Sequence, residues 1–283
     1  MGQITMGCKK KFVQLLVLVF ACANVTLAQT GRERCLRGST AIHKQFQNFT
    51  VGIEPFHDAT DGDMCRAVVR NARKTVFTTY NWGLEVTLLG QDVNGDGYPD
   101  LVLEGYSGGA HCCWTYYIVS LGPLPRLIRE IDNERGAGFV RDSSGRIEIR
   151  TNDGKFDYLF LSHAESPFPA VYLRLIGTRL IEVGREHTAD YDHEIDKAKR
   201  ELSPAELHQI RSAVTADEFY GNDSNRSAAT KILQIVYAYL YSGRQAQAHQ
   251  ALTEMWPTFD QEAAWKKILE ARRKGILRYT SSK

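Results

Sequence analysis

One change of rhythm divides this chain. From about residue 35 to residue 181 no apolar pattern lasts long enough for a helix. The runs are short and rich in Val, Ile, Tyr and Thr, as in "KTVFTTY", "LEVTLL", "DLVLEGY", "WTYYIVSL", "GRIEIRT" and "AVYLRLI". Turn-forming stretches separate them, among them "NWG", "NGDG", "LGPLP", "DSSG", "NDG" and "SPFP", a punctuation that predicts antiparallel strands joined by tight loops. After Tyr191 the period becomes helical. "SPAELHQIRSAV" offers Ser203 as N-cap, Pro204 at the first helical position and Glu206 to close a capping box. "NRSAATKILQIVYAYLYSG" places Ile232, Ile235, Val236 and Leu240 on one face and stops at Gly243, and "RQAQAHQALTEMW" and "DQEAAWKKILEARRKG" supply further helices. The fold class is therefore α+β, with an antiparallel β part over residues 29–188 and a C-terminal α-helical part over residues 189–283.

The start of the chain sets the compartment. Lys9, Lys10 and Lys11 precede the apolar "FVQLLVLVFACA", and "NVTLAQ" supplies small residues for cleavage after Ala28. This is the pattern of an export signal over residues 1–28, too short to span a bilayer as a helix, so the mature chain is expected in the periplasm or outside the cell with no transmembrane segment. Lipid anchoring at Cys22 is the alternative. Removing the signal takes away three lysines and leaves 32 basic against 33 acidic residues. A nearly neutral chain without a basic stripe argues against a nucleic-acid partner.

The densest stretch is "QDVNGDGYPDLVLEGYSGGAHCCW", residues 91–114. Asp92, Asn94, Asp96 and Asp100 stand at positions 1, 3, 5 and 9 of a loop, with Gly95 and Gly97 for sharp turns and the Tyr98 carbonyl at position 7. Alternate residues of such a loop aim oxygens at one centre, which suits a hard cation wanting six to eight of them at about 2.3–2.6 Å. Calcium is the expected ion, in a structural rather than catalytic role. Position 12 is Leu103 and a strand follows, so this is not an EF-hand.

"DVNGDGYPDLVL" resembles the calcium loop of FG-GAP and VCBS-type repeats, in which "D-x-N-G-D-G-x-x-D-L" joins two strands of a β-propeller blade. The resemblance implies calcium ligation by Asp92, Asn94, Asp96, the Tyr98 carbonyl and Asp100. A faint second copy, "TNDGKFDYLF", sets Asp153 and Asp157 57 residues after Asp96 and Asp100, with Ile149 and Thr151 at positions 1 and 3. That copy is expected to bind nothing. Two or three blade-like sheets are too few for a closed ring, so the expectation is a partial propeller or a compact sandwich.

Cys35, Cys65, Cys112 and Cys113 remain after export, and four cysteines allow three pairings. In an oxidising compartment disulfides are expected, with one of the adjacent pair bridging to Cys35 or Cys65 and the other bridging too or forming a vicinal bond. His111 beside the cysteines also admits a nucleophile with its base, or a soft-metal site with His163 or His57. Trp114, Tyr116, Tyr117, Tyr106 and Trp82 form an aromatic set suited either to sugar stacking or to the core. In the α part, "ILQIVYAYLYSGRQAQAHQAL" resembles a tetratricopeptide-type helical hairpin, carried by Tyr239, Gly243, Ala248 and Leu252. These features together point to an exported calcium-binding module for a protein or carbohydrate partner. The alternative is a hydrolase using His111 with Glu104 or Asp63.

Overall fold

A computed structural model describes residues 33–110 and 113–280. Residues 1–28, expected from the sequence to be an export signal and including Cys22, and the residues His111 and Cys112 lie outside the described residues.

Among the described residues thirteen strands form three antiparallel sheets, and helices follow, so the α+β class holds. The first sheet is the meander β2 (Ile42–Phe46), β3 (Phe49–Asp58), β4 (Gly62–Asn71) and β5 (Lys74–Asn81). The second runs β6 (Gly83–Gln91), β7 (Asp100–Tyr106), β8 (Trp114–Ser120) and β9 (Arg126–Asn133), with the short β1 (Arg34–Leu36) paired to the outer side of β6. The third is β10 (Ala137–Arg141), β11 (Ile147–Asn152), β12 (Ala170–Ile176) and β13 (Arg179–Glu182). Apart from β1, each is a run of consecutive hairpins.

Period-2 alternation in the second sheet decides how the sheets stack. Along β7 and β8, Leu101, Leu103, Tyr117 and Val119 face a core shared with Val51, Ile53 and Val69 of the first sheet. The intervening Val102, Tyr116 and Ile118 face Ile149, Leu173 and Leu175 of the third. The second sheet is thus apolar on both faces and lies between the other two. Full burial of Leu101 and Leu103 contributes about 1.5–3 kcal/mol each. Tyr116 and Tyr117 point to opposite faces and are both core, so neither is available for sugar stacking.

The helices are α1 (Thr188–Glu201), α2 (Pro204–Ser212), α3 (Ala216–Tyr220), α4 (Asp223–Tyr241), α5 (Gln245–Met255) and α6 (Gln261–Lys274). The expected capping box forms at α2: the Ser203 hydroxyl accepts from the Glu206 N–H at 3.2 Å, and Glu206 accepts from the Ser203 N–H at 2.8 Å. Gly243, with φ +80°, turns the chain between α4 and α5, and Ala248 and Leu252 are buried in the hairpin.

The β and α parts are not independent domains. Residues from Glu33 onward form one compact unit, and one hydrophobic cluster runs from Val102 and Ile118 through Leu173 to Ile235, Val236 and Trp256. The docking contacts come from the segment after β11. Phe156, in the 3-10 turn Gly154–Phe156, packs its ring against Tyr237 at 4.5 Å and Tyr241 at 5.9 Å. No helix among the described residues is long and apolar enough to cross a membrane.

Candidate functional site

The 92–100 loop closes the hairpin between β6 and β7, where the aspartates first act on their own backbone. Asp92 accepts from the N–H groups of Gly95 at 2.7 Å, Asp96 at 3.2 Å and Gly97 at 2.9 Å. Asn94 Oδ1 accepts from Asp96 N–H at 3.2 Å, and Asp96 Oδ1 accepts from Tyr98 N–H at 2.9 Å. Gly95 and Gly97, at φ +74° and +84°, take the left-handed backbone that aims these N–H groups inward. Val93 points the other way and is buried in the core.

Asp100 is the exception. It is fully buried at the base of the loop; its Oδ2 accepts from Val93 N–H at 2.8 Å, while its Oδ1 has no hydrogen-bond partner. Burial is the main cause that pushes this carboxyl up to about 7, the charges of Asp96 and Asp92 add to it, and the N–H groups of Val93 and Asn94 oppose it. A buried acceptor without a donor costs about 1–3 kcal/mol, and a cation is the species that would repay it beside two further carboxylates. Among the described residues no group of three or more His, Cys, Asp or Glu side chains forms a ready-made metal cluster. The donor set nevertheless fits a hard ion: every side chain in it offers oxygen, and the one oxygen with nothing to do is the most buried. Asp92 and Asp96 would exchange N–H bonds for ion contacts, which keeps the affinity modest.

The loop is also tied to the third sheet. Asn94 Nδ2 donates to the Gly177 carbonyl at 3.1 Å, and Gly177 N–H donates to the Asn94 carbonyl at 2.8 Å. Gly177 lies in the β12–β13 turn, so this pair joins neighbouring sheets across the loop, a contact that no local motif announces.

The other half of the 91–114 stretch lies far from the loop. β7 has seven residues, so the β7–β8 connection is about 20 Å from the 92–100 loop along the strand. At that end the half-buried rings of Trp82, Tyr106 and Trp114 form a ladder with centroids 5.6 and 5.2 Å apart. Glu104 is buried and accepts from Arg34 Nη2 at 2.9 Å, beside Glu85, which accepts from Arg34 Nε at 2.7 Å. The sequence signal for this cluster was an acid inside each of two apolar strands, "LEVTLL" and "DLVLEGY". Asp63 belongs to the first sheet, where it meets His57 Nδ1 at 2.9 Å with both side chains largely exposed. His163 pairs with Asp157 at 2.8 Å. His57 and His163 therefore serve separate carboxylates, and Asp63 and Glu104 do not converge.

The expected bridge from the adjacent pair to Cys35 or Cys65 does not form. Cys35 and Cys65 are bonded to each other, tying β1 of the second sheet to β4 of the first, with a Cα separation of 6.1 Å. Neither is left for the adjacent pair. Cys113 is itself disulfide-bonded. The "TNDGKFDYLF" segment is no second loop of the same kind. There Asp153 caps a 3-10 turn while Asp157 holds His163.

Compared with protein-family models, curated proteins and solved structures, the chain matches none of them significantly.

Proposed function

We propose that this chain is an exported binding module whose β part is held by calcium in the 92–100 loop, the ion serving the fold rather than a reaction. The observation that carries the reading is Asp100 Oδ1, a carboxylate oxygen buried without a donor beneath Asp92 and Asp96. The loop's resemblance to FG-GAP repeats supports it, with Asp92, Asn94, Asp96, the Tyr98 carbonyl and Asp100 as ligands. The signal-like residues 1–28 and the Cys35–Cys65 disulfide support export. The partner class is protein or carbohydrate. Hydrolysis finds less support, because Glu104 is committed to Arg34 and Asp63 to His57.

The test is thermal melting of the mature protein in calcium, magnesium or chelator. With a Kd near 10⁻⁴ M, millimolar calcium stabilises by about 1.4 kcal/mol, and chelation lowers Tm by a few degrees. Magnesium restores much less, and Asp96→Ala and Asp100→Asn abolish the response. A melting curve indifferent to chelator and to both substitutions would leave the stretch a turn only.

A further inference from the structure

The second sheet ends at β9 and the third at β13, and among the described residues neither edge pairs with a further strand. Between them and the C-terminal turn lies a groove of about 900 Å³, lined by residues 127–130, 178–180 and 278–280. The start of this edge is already capped from within the chain. Asp132 N–H donates to the Tyr279 hydroxyl at 3.1 Å, and its carbonyl accepts from Arg278 Nη2 at 3.0 Å. Both backbone groups therefore point away from β8, and by the alternation of an antiparallel ladder those of Glu130 point the same way. Next comes Ile128, which a bulge leaves unpaired opposite β8. Beyond the cap, the groove runs along strand backbone that pairs with no further strand among the described residues.

Its charge is one-sided. Arg129, Arg179 and Arg278 line it against Glu130 as the one acid. Arg129 Nε is buried without a hydrogen-bond partner, although its Nη2 donates to the Tyr279 carbonyl at 2.7 Å. Arg179 is exposed and makes no side-chain hydrogen bond or ion pair among the described residues. The arginines come from segments about 50 and 100 residues apart, and a chain near neutrality gives no hint of them until it folds.

We infer that the β9 edge is a strand-addition site for an extended acidic peptide segment of a protein partner. Backbone groups of β9 supply main-chain hydrogen bonds, and the arginines select Glu or Asp side chains. This deepens the binding-module reading but not its calcium part, and the two are read separately: peptide affinity for one, the calcium response of the melting curve for the other.

The probe is a fluorescein-labelled, end-capped peptide EVEVE titrated against the full mature protein and followed by anisotropy. Saturable binding is expected that weakens with salt and falls at least tenfold in Arg179→Glu, with melting unchanged. Arg73→Glu, in the β4–β5 turn, has no effect. The same peptide N-methylated at alternate amides also loses at least tenfold. Equal binding of KVKVK, or no loss on N-methylation, would overturn the proposal. So would polygalacturonate binding in an Arg179-dependent way where EVEVE does not, which would assign the groove to an acidic polysaccharide.

Discussion

The carboxylate of Asp153 accepts a hydrogen bond from the Tyr241 hydroxyl at 2.7 Å, joining the segment after β11 to the end of α4 across 88 residues of chain. Both groups are buried. Asp153→Ala leaves the hydroxyl without its acceptor and is expected to cost about 1–3 kcal/mol, while Asp153→Asn keeps an acceptor and costs less. Urea denaturation of the two variants orders them. Equal losses would mean that the neutral acceptor kept in Asp153→Asn recovers nothing, which counts against the Tyr241 bond as the source of the cost.

The same carboxyl gives a pH dependence. Burial raises it above the ordinary carboxylate value and Glu134 adds to this, while bonds from Tyr241 and the N–H groups of Lys155 and Ile276 oppose it. A raised folded value means the group's contribution is complete below the unfolded pKa of about 3.9 and is lost as pH rises through the folded one. The stability of the parent relative to Asp153→Asn should therefore decline from pH 4 upward and then level off. A difference independent of pH across this range is the contrary result.

Close approach makes Gly184 sensitive. A Cβ there would lie 2.2 Å from the Tyr241 carbonyl oxygen, a backbone atom that cannot turn aside. Gly184→Ala is expected to destabilise by about 1–3 kcal/mol through overpacking. Gly138→Ala, whose nearest neighbour would be at 3.9 Å, serves as the tolerated comparison. Similar midpoints for the two variants would count against a tight seam between the β and α parts.

Arg174 is buried in the third sheet and binds Glu148 at 2.7 Å, Glu186 at 2.9 Å and Asp142 at 3.1 Å. Glu148 is also buried, and Arg174→Met leaves it only the looser contacts to His187 at 3.0 Å and Arg150 at 3.4 Å, so the change is expected to cost about 3 kcal/mol. The double variant with Glu148→Gln should recover part of the loss. No recovery would mean that packing of the long side chain, rather than charge compensation, is what the sheet needs.

The Cys35–Cys65 disulfide closes a separation of 30 residues and fixes β1 against the first sheet. Its removal by paired Cys→Ala substitution is expected to cost about 2–4 kcal/mol. A non-reducing peptide map should join the Cys35 and Cys65 peptides and show no free thiol at Cys113. A map linking Cys113 to either of them would contradict this arrangement.

What the sequence determined by itself was local. The alternation in "DLVLEGY" and "WTYYIVSL" assigns Leu101, Val102, Tyr116 and Tyr117 to opposite faces because side chains alternate along any strand. Ser203, Pro204 and Glu206 set the start of α2 because a cap needs only neighbours within one turn. Asp92 and the glycines after it set the 92–100 turn for the same reason. The tertiary structure alone decided which distant groups meet. Cys35 found Cys65 because β1 pairs with β6 while the first sheet stacks on the second, bringing the two Cα atoms to 6.1 Å. Asp153, similar in local sequence to Asp96, became a docking residue because Tyr241 and the chain at Gly275 close over it. Asn94 reached Gly177, and Arg129, Arg179 and Arg278 gathered on one groove, through sheet stacking. Such contacts depend on where separate elements are placed in space, and no periodicity within an element encodes that.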